Sequence, residues 1–233
     1  MLYEIATIVL IPLLILTIAA GINVRRVFSK YDKLLPSSGL TAAQAARAVL
    51  DGAGASNVMI KPCRGNLTDH YDPRDNTVYL SDAVYLSRSV AAIGIAAHEA
   101  GHAVQYASDY APVKLRGAMV PVVSFASRAS IAFILAAVAL EILAFSAAFS
   151  QTVLLIGIVF YGVYTLFTII TLPVELNASS RAKTLLVSSG ILNADETAAA
   201  SRVLTAAALT YVASMAMSII QLLRFIGLFG RRR

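Results

Sequence analysis

"TVLLIGIVFYGVYTLFTIITL", Thr152–Leu172, carries no charged side chain over twenty-one residues. At 1.5 Å per residue a helix of that length covers about 30 Å, the thickness of a bilayer's hydrocarbon core. The whole chain agrees with that reading: 58% of its 233 residues are hydrophobic, 14% are charged, and the mean hydropathy is +0.73. An ordinary soluble domain carries about 25% charged residues. The solvent for much of this protein is therefore lipid.

Working outward, a second apolar run from Val120 to Phe149 is interrupted by Arg128 and Glu141. These lie about 20 Å apart along a helix, so each can snorkel to one interface. With a short turn around Phe149–Gln151, the two runs predict a helical hairpin. A further span is predicted from Leu2 to Val24. It has Glu4 where a signal peptide would be basic, and Arg25, Arg26, Lys30 and Lys33 follow it, which predicts an uncleaved anchor. A fourth run, Leu204–Phe229, is interrupted by Arg224 and ends in Arg231, Arg232 and Arg233.

This divides the chain into an anchor (1–24), a polar segment (25–116), a hairpin (117–172), a segment following it (173–203) and a membrane-associated end (204–233). Eleven lysines and arginines lie between Arg25 and Arg116, and Arg181, Lys183 and Arg202 follow the third span. The positive-inside rule puts both polar segments in the cytoplasm. The terminal arginines would then fall outside if the fourth run crosses fully.

Composition also removes function classes. The net charge of +6 comes without a long basic run interleaved with aromatics, so no nucleic-acid partner is expected. The single cysteine, Cys63, excludes an internal disulfide framework and a thiolate zinc cluster.

Within 25–116, Thr41 and Gln44 fit a capping box opening a helix that Gly52 and Gly54 close. "NVMIKPC" alternates as a strand, and two more short strands are predicted near Leu67–Tyr71 and Thr77–Leu80, joined by a turn over Asp72–Asn76. From about Ser89 a helix follows, containing "HEAGH", His98–His102. Histidines at i and i+4 share one helical face, where two imidazoles can reach one zinc ion and Glu99 can act as general base on the attacking water. Two of the protein's three histidines sit in this motif. A third protein ligand is required. Gln105 and Ser108 occupy the positions where metzincins need glycine and histidine, so that arrangement is excluded. His70, in a strand-turn segment, would be an unusual ligand. Glu175 in "LPVELNASSRAKTLL" is the better candidate, because Pro173 can open a helix where the third span ends.

"LTDHYDPR", "VYLS", "AAHEAGHAVQ", "LPVELNASSRA" and "AAALTYVA", in that order between about Tyr31 and Arg224, resemble the bacterial YugP-like neutral zinc metallopeptidases, membrane-embedded gluzincins. The resemblance implies His98, His102 and Glu175 as zinc ligands, Glu99 as general base, and a site in the cytoplasm or at the membrane surface. Asn177 stands where it implies aspartate, at a position supporting the ligands. It further implies that Leu67, Thr68 and Asp69 form an edge strand pairing with an extended substrate. His70 and Tyr211 are the two candidates for donating a hydrogen bond to the oxyanion of the reaction. "LDG" at Leu50–Gly52 precedes the zinc helix, unlike its place in intramembrane site-2 proteases, and is coincidental.

The expectation is an α+β membrane protein, mostly helical, with about four transmembrane or membrane-embedded helices and a zincin-like domain holding a small β-sheet. Its function would be that of a Zn2+-dependent endopeptidase in the bacterial inner membrane, acting on peptides or membrane proteins. An intramembrane-cleaving protease and a zinc-stabilised scaffold are the alternatives. Glu99 argues against a scaffold, which has no use for a general base and usually fills all four metal positions. No feature of the sequence sets the number of copies.

Overall fold

The computed structural model describes residues 2–231. The apolar runs all become long helices: α1 (Leu2–Tyr31), α4 (Ala111–Ile142), α5 (Ala147–Ser188) and α6 (Ala194–Arg231). Among the described residues these four are long and apolar enough to cross a membrane. Between α1 and α4 lie α2 (Ala42–Gly52), the strands β1 (Met59–Cys63), β2 (His70–Asp72) and β3 (Thr77–Ser81), and α3 (Val90–Ala107). The fold is α+β and mostly helical.

The chain divides into two compact units, one of Met1–Ala19, Leu115–Leu172 and Tyr211–Arg233, the other of Ala20–Lys114 and Pro173–Thr210. In the first, helices meet through small and hydroxyl side chains. Ser130 Oγ donates to Gly157 O at 3.0 Å, and Thr168 and Ser218 hydroxyls lie 2.8 Å apart. Ala137, Leu154 and Ile158 are buried, while Ile8, Ile131 and Leu135 point outward. This is how helices associate where lipid removes any hydrophobic drive between them.

The second unit has a water-type core. Ala42, Ala45, Ala46, Val49 and Leu50 of α2, Val78 and Leu80 of β3, and the alanines of α3 pack with Ala182 and Leu186 of α5 and Ala200 of α6. The sheet order is β1-β3-β2. β1 runs parallel to β3 with Met59 opposite Thr77, and β2 runs antiparallel with His70 opposite Tyr79. Pro62, which has no N–H to give a ladder, sits on the outer strand β1. The capping box on α2 is complete: Thr41 Oγ1 accepts from Gln44 N–H, and the Gln44 side chain accepts from Thr41 N–H.

The structure corrects four boundaries. The second long helix stops at Ile142, not Phe149, because Ala144 takes a left-handed conformation (φ 56) and Phe145 N–H closes the turn on Leu140 O at 3.0 Å. Phe149–Gln151 are consequently helical, inside α5. Pro173 opens no new helix, for α5 runs through it; the proline removes one hydrogen bond without ending the element. The segment 173–203 is the end of α5, a turn, and the start of α6. Asn193 and Glu196 form a reciprocal cap there (Glu196 N–H to Asn193 Oδ1, 3.0 Å; Asn193 N–H to Glu196 Oε2, 2.9 Å), so α6 begins ten residues before Leu204. Finally, the edge strand is His70–Asp72. Leu67, at φ 56, breaks the extended run, and Asp69 spends its carboxylate on Ser81, accepting from its N–H at 2.8 Å and Oγ at 3.0 Å. Of the terminal arginines, Arg232 and Arg233 lie outside the described residues.

Candidate metal centre

The site is built where α3 meets the end of α5. Ser89 caps α3, its Oγ accepting from Ala92 N–H at 3.1 Å while donating to Asp32 at 2.7 Å. Ala91, Ala92, Ala96, Ala97, Ala100 and Ala103 leave the helix thin enough for close packing on several sides. The closest approach is at Gly101: a Cβ there would lie 2.6 Å from Ala178 O of α5. One turn of α3 and one turn of α5 are thus pressed together, and the side chains around that contact make the site.

On α3, His98 and His102 share a face. On α5, Glu175, Ala178, Ser179, Ala182 and Leu186 form one stripe, of which Glu175 is 2% exposed. Glu175 Oε2 lies 3.2 Å from His98 Nε2 and 3.5 Å from His102 Nε2. One ligand atom from each of the three residues falls within 4.8 Å of the others. A tetrahedral ion with bonds of about 2.0–2.1 Å needs ligand atoms roughly 3.3 Å apart. Both carboxylate–imidazole distances meet that spacing, and two imidazoles with one carboxylate are a donor set that fits zinc.

The rings are also oriented for it. For Nε2 to bind a cation, the ring proton must sit on Nδ1, and each Nδ1 faces an oxygen: Ser179 Oγ at 3.0 Å from His98, and Gln105 Oε1 at 3.0 Å from His102. Such partners fix ring orientation and raise ligand basicity. Burial pushes the Glu175 carboxyl up, but the two imidazoles that face its Oε2 outweigh that and hold the group below the usual carboxylate range. Glu175 lies beyond the charge-free span, which ends at Leu172.

Other expected residues fall in different places. Glu99 is half-buried on α3, between the two histidines in sequence. Asn177 lies one hydrogen bond away from the partner of His102: its Oδ1 accepts from Gln105 Nε2 at 3.0 Å and Arg181 Nε at 2.8 Å. His70 is exposed on β2, stacked on Tyr79 with ring centroids 5.0 Å apart, and its Nδ1 lies 2.9 Å from Thr68 O. Leu67 and Thr68 are exposed in the approach to β2, and Asp69 is tied to Ser81. Burial raises the Asp69 carboxyl against those hydrogen bonds. Tyr211 is carried by α6.

Two site residues had no reading from sequence. Gln105 served there only to exclude the metzincin pattern, yet it is the partner of His102. Ser179 stands four residues after Glu175, a helical spacing that placed it on the same face.

The chain matches the protein family described as "Putative neutral zinc metallopeptidase" over residues 6–230. It is similar to the "Putative membrane protease YugP" of Bacillus subtilis (strain 168), with 43% identity over 210 residues and 90% of each chain covered. No solved structure matches. With four apolar helices of spanning length, these likenesses make this a multi-pass membrane protein. A match that takes in both the histidine helix and the remote glutamate rests on far more than one five-residue motif, and the chain belongs to this zinc metallopeptidase family.

Proposed function

We propose that this protein is a membrane-anchored endopeptidase of the gluzincin type, holding zinc on His98, His102 and Glu175. The observation that carries the proposal is the convergence of Glu175 Oε2 on both Nε2 atoms, at 3.2 and 3.5 Å, with Glu99 next in sequence to His98. When bound, zinc would polarise the scissile carbonyl and acidify a water at neutral pH. Glu99 takes the proton from the attacking water as oxygen adds to the carbonyl carbon. It then returns that proton to the amine nitrogen as the C–N bond breaks. Ser179 and Gln105 keep both rings in the liganding orientation throughout.

The extended substrate would lie along β2, whose outer side faces no other strand among the described residues in the sheet order β1-β3-β2. Leu67, Thr68 and Asp69 lead into that edge, with Asp69 fastening the approach to β3 through Ser81. His70 is poorly suited to donate to an oxyanion: with Nδ1–H given to Thr68 O, its Nε2 donates only as imidazolium. Tyr211 stays a candidate on the chemistry of its phenol alone. The lysine and arginine distribution supports a site facing the cytoplasm of a bacterial inner membrane, with peptide or membrane-protein substrates.

Glu99→Gln tests the chemistry. It is expected to retain zinc at wild-type stoichiometry while cleavage of a casein-type substrate falls by about 10²–10⁴-fold. Retained cleavage would eliminate Glu99 as the base, and zinc loss would make it a structural residue.

A further inference from the structure

The buried amide of Gln105 has its orientation decided by its neighbours. Its Nε2 donates to Val174 O at 2.8 Å and to Asn177 Oδ1 at 3.0 Å. Both partners are acceptors, so a flipped amide would set oxygen against two oxygens inside a fully buried space. Oε1 is therefore forced toward His102 Nδ1, 3.0 Å away. An acceptor at Nδ1 selects the imidazole tautomer that carries its proton there and leaves the Nε2 lone pair for a cation.

The chain of restraint continues past Gln105. Asn177 Oδ1 accepts simultaneously from Arg181 Nε at 2.8 Å, so the guanidinium fixes which end of the Asn177 amide faces Gln105. Arg181 is itself held over the Tyr110 ring, 5.7 Å from its centroid, and Tyr110 N–H donates to Gln105 O at 3.0 Å. Side chains from α5 and from the turn after α3 thus close a loop around the Gln105 amide.

We propose that Arg181, Asn177 and Gln105 are positioning residues forming a polar relay that fixes His102 in its Nδ1–H tautomer and thereby sets the metal affinity of the site. The proposal rests on the metal-site reading above. It assigns to Arg181, more than a turn of helix beyond the glutamate ligand, an effect on a histidine of another helix. A carboxylate at 177 keeps the relay, because it can accept from both Gln105 and Arg181, whereas an apolar side chain breaks it.

The test uses the full chain in detergent, with Gln105→Met, Asn177→Asp, Asn177→Leu, Arg181→Met and the Asn177→Leu/Arg181→Met double variant. Zinc affinity is measured by competition with a chromophoric chelator. The His102 tautomer is read in the zinc-free protein by nitrogen-15 NMR of labelled histidine, practical because the chain has only three histidines. Gln105→Met should weaken zinc by about 10- to 100-fold and shift His102 away from the Nδ1–H form. Asn177→Asp should match the wild type in both readouts. Asn177→Leu and Arg181→Met should each weaken zinc less than Gln105→Met, and the double variant should be no worse than Asn177→Leu alone, as members of one relay. An unchanged tautomer and affinity in Gln105→Met overturn the proposal, as does additivity in the double variant. Should Gln105→Met fail to fold, the contrast between Asn177→Asp and Asn177→Leu decides, and equal behaviour overturns it. A wild type that binds no zinc would refute the metal-site reading, while the histidine spectrum of the same sample still judges the relay.

Discussion

Two glycines measure the difference between the two units. A Cβ on Gly157 would lie 2.8 Å from Ile134 Cγ1 and 3.1 Å from Ile134 N; one on Gly101 would lie 2.6 Å from Ala178 O. Both allow helices to approach. Around Gly157 many large apolar side chains point outward, as at Leu135 (64% exposed), while a small interior of Ala137, Leu154 and Ile158 is joined by the Ser130 hydroxyl bonded to Gly157 O. Around Gly101 the arrangement inverts, with Ile93 and Leu186 at 0% and polar groups gathered at one seam. In the first unit, close contact supplies association in lipid; in the second, the water-driven core has already done that, and close contact brings Glu175 beside His98 and His102. The same small residue means different things depending on which solvent drives the packing.

The sharpest way to test that division is to remove a polar group from each unit. Glu175→Ala should lower zinc affinity by more than the roughly 10- to 100-fold typical of supporting residues, with cleavage lost in parallel. Ser130→Ala, which deletes the hydroxyl bonded to Gly157 O, should leave zinc stoichiometry and affinity unchanged. Metal analysis of both purified proteins is sufficient. A comparable loss in Ser130→Ala would break the distinction, since the ligand geometry would then depend on packing among the membrane helices.

Matched glycine substitutions come next in size. Gly101→Ala meets a backbone oxygen, which no rotamer change can move aside, so α3 must shift against α5. Overpacking of that kind costs about 1–3 kcal/mol. The shift acts directly on the 3.2 and 3.5 Å ligand spacings, so zinc affinity should fall along with the melting temperature. Gly157→Ala presses on Ile134 and should lower the melting temperature in detergent while zinc affinity holds. If both variants keep wild-type zinc affinity, the tight α3–α5 seam is not what positions the triad.

The seam also marks where sequence reading stops. The shared face of His98 and His102 was legible because a helix brings positions i and i+4 together, and the Thr41–Gln44 cap because its partners are three residues apart. The nearness of Glu175 to the two histidines fits its place after the charge-free span, although α5 runs through Pro173 without a new helix opening there. Gln105 and Val174 are sixty-nine positions apart, and no periodicity announces a bond between them. The parallel pairing of β1 with β3 is hidden for the same reason. Ala144 hid a turn in a different way, since the left-handed conformation there usually advertises itself with glycine or asparagine. Local chemistry could be read, and contacts whose partners are distant in the chain could not.

The smallest predicted effect lies at the exposed turn between β2 and β3, within the same unit as the buried triad. Arg74 bonds Asp72 through Nε and Nη2, at 2.6 Å for the shortest contact, and these hydrogen bonds lower the Asp72 carboxyl to about 2. Arg74 is 88% exposed, so water screens the pair and its contribution is small. A carboxyl lowered on folding stabilises the native state above the unfolded value of 3.8, and that contribution disappears as pH falls toward 2. Asp72→Asn should therefore melt slightly below the wild type at pH 5, and the gap should close as the pH falls from about 4 to 2. Zinc affinity at neutral pH should not change. The Glu175 carboxylate, also lowered but enclosed by two imidazoles, should give the opposite pattern: a modest change in partner there would act on a bound metal. A gap between Asp72→Asn and wild type that persists at pH 2 would show that the Asp72 side chain acts through turn geometry, where its Oδ1 accepts from Arg74 N–H at 2.9 Å, and not through its charge.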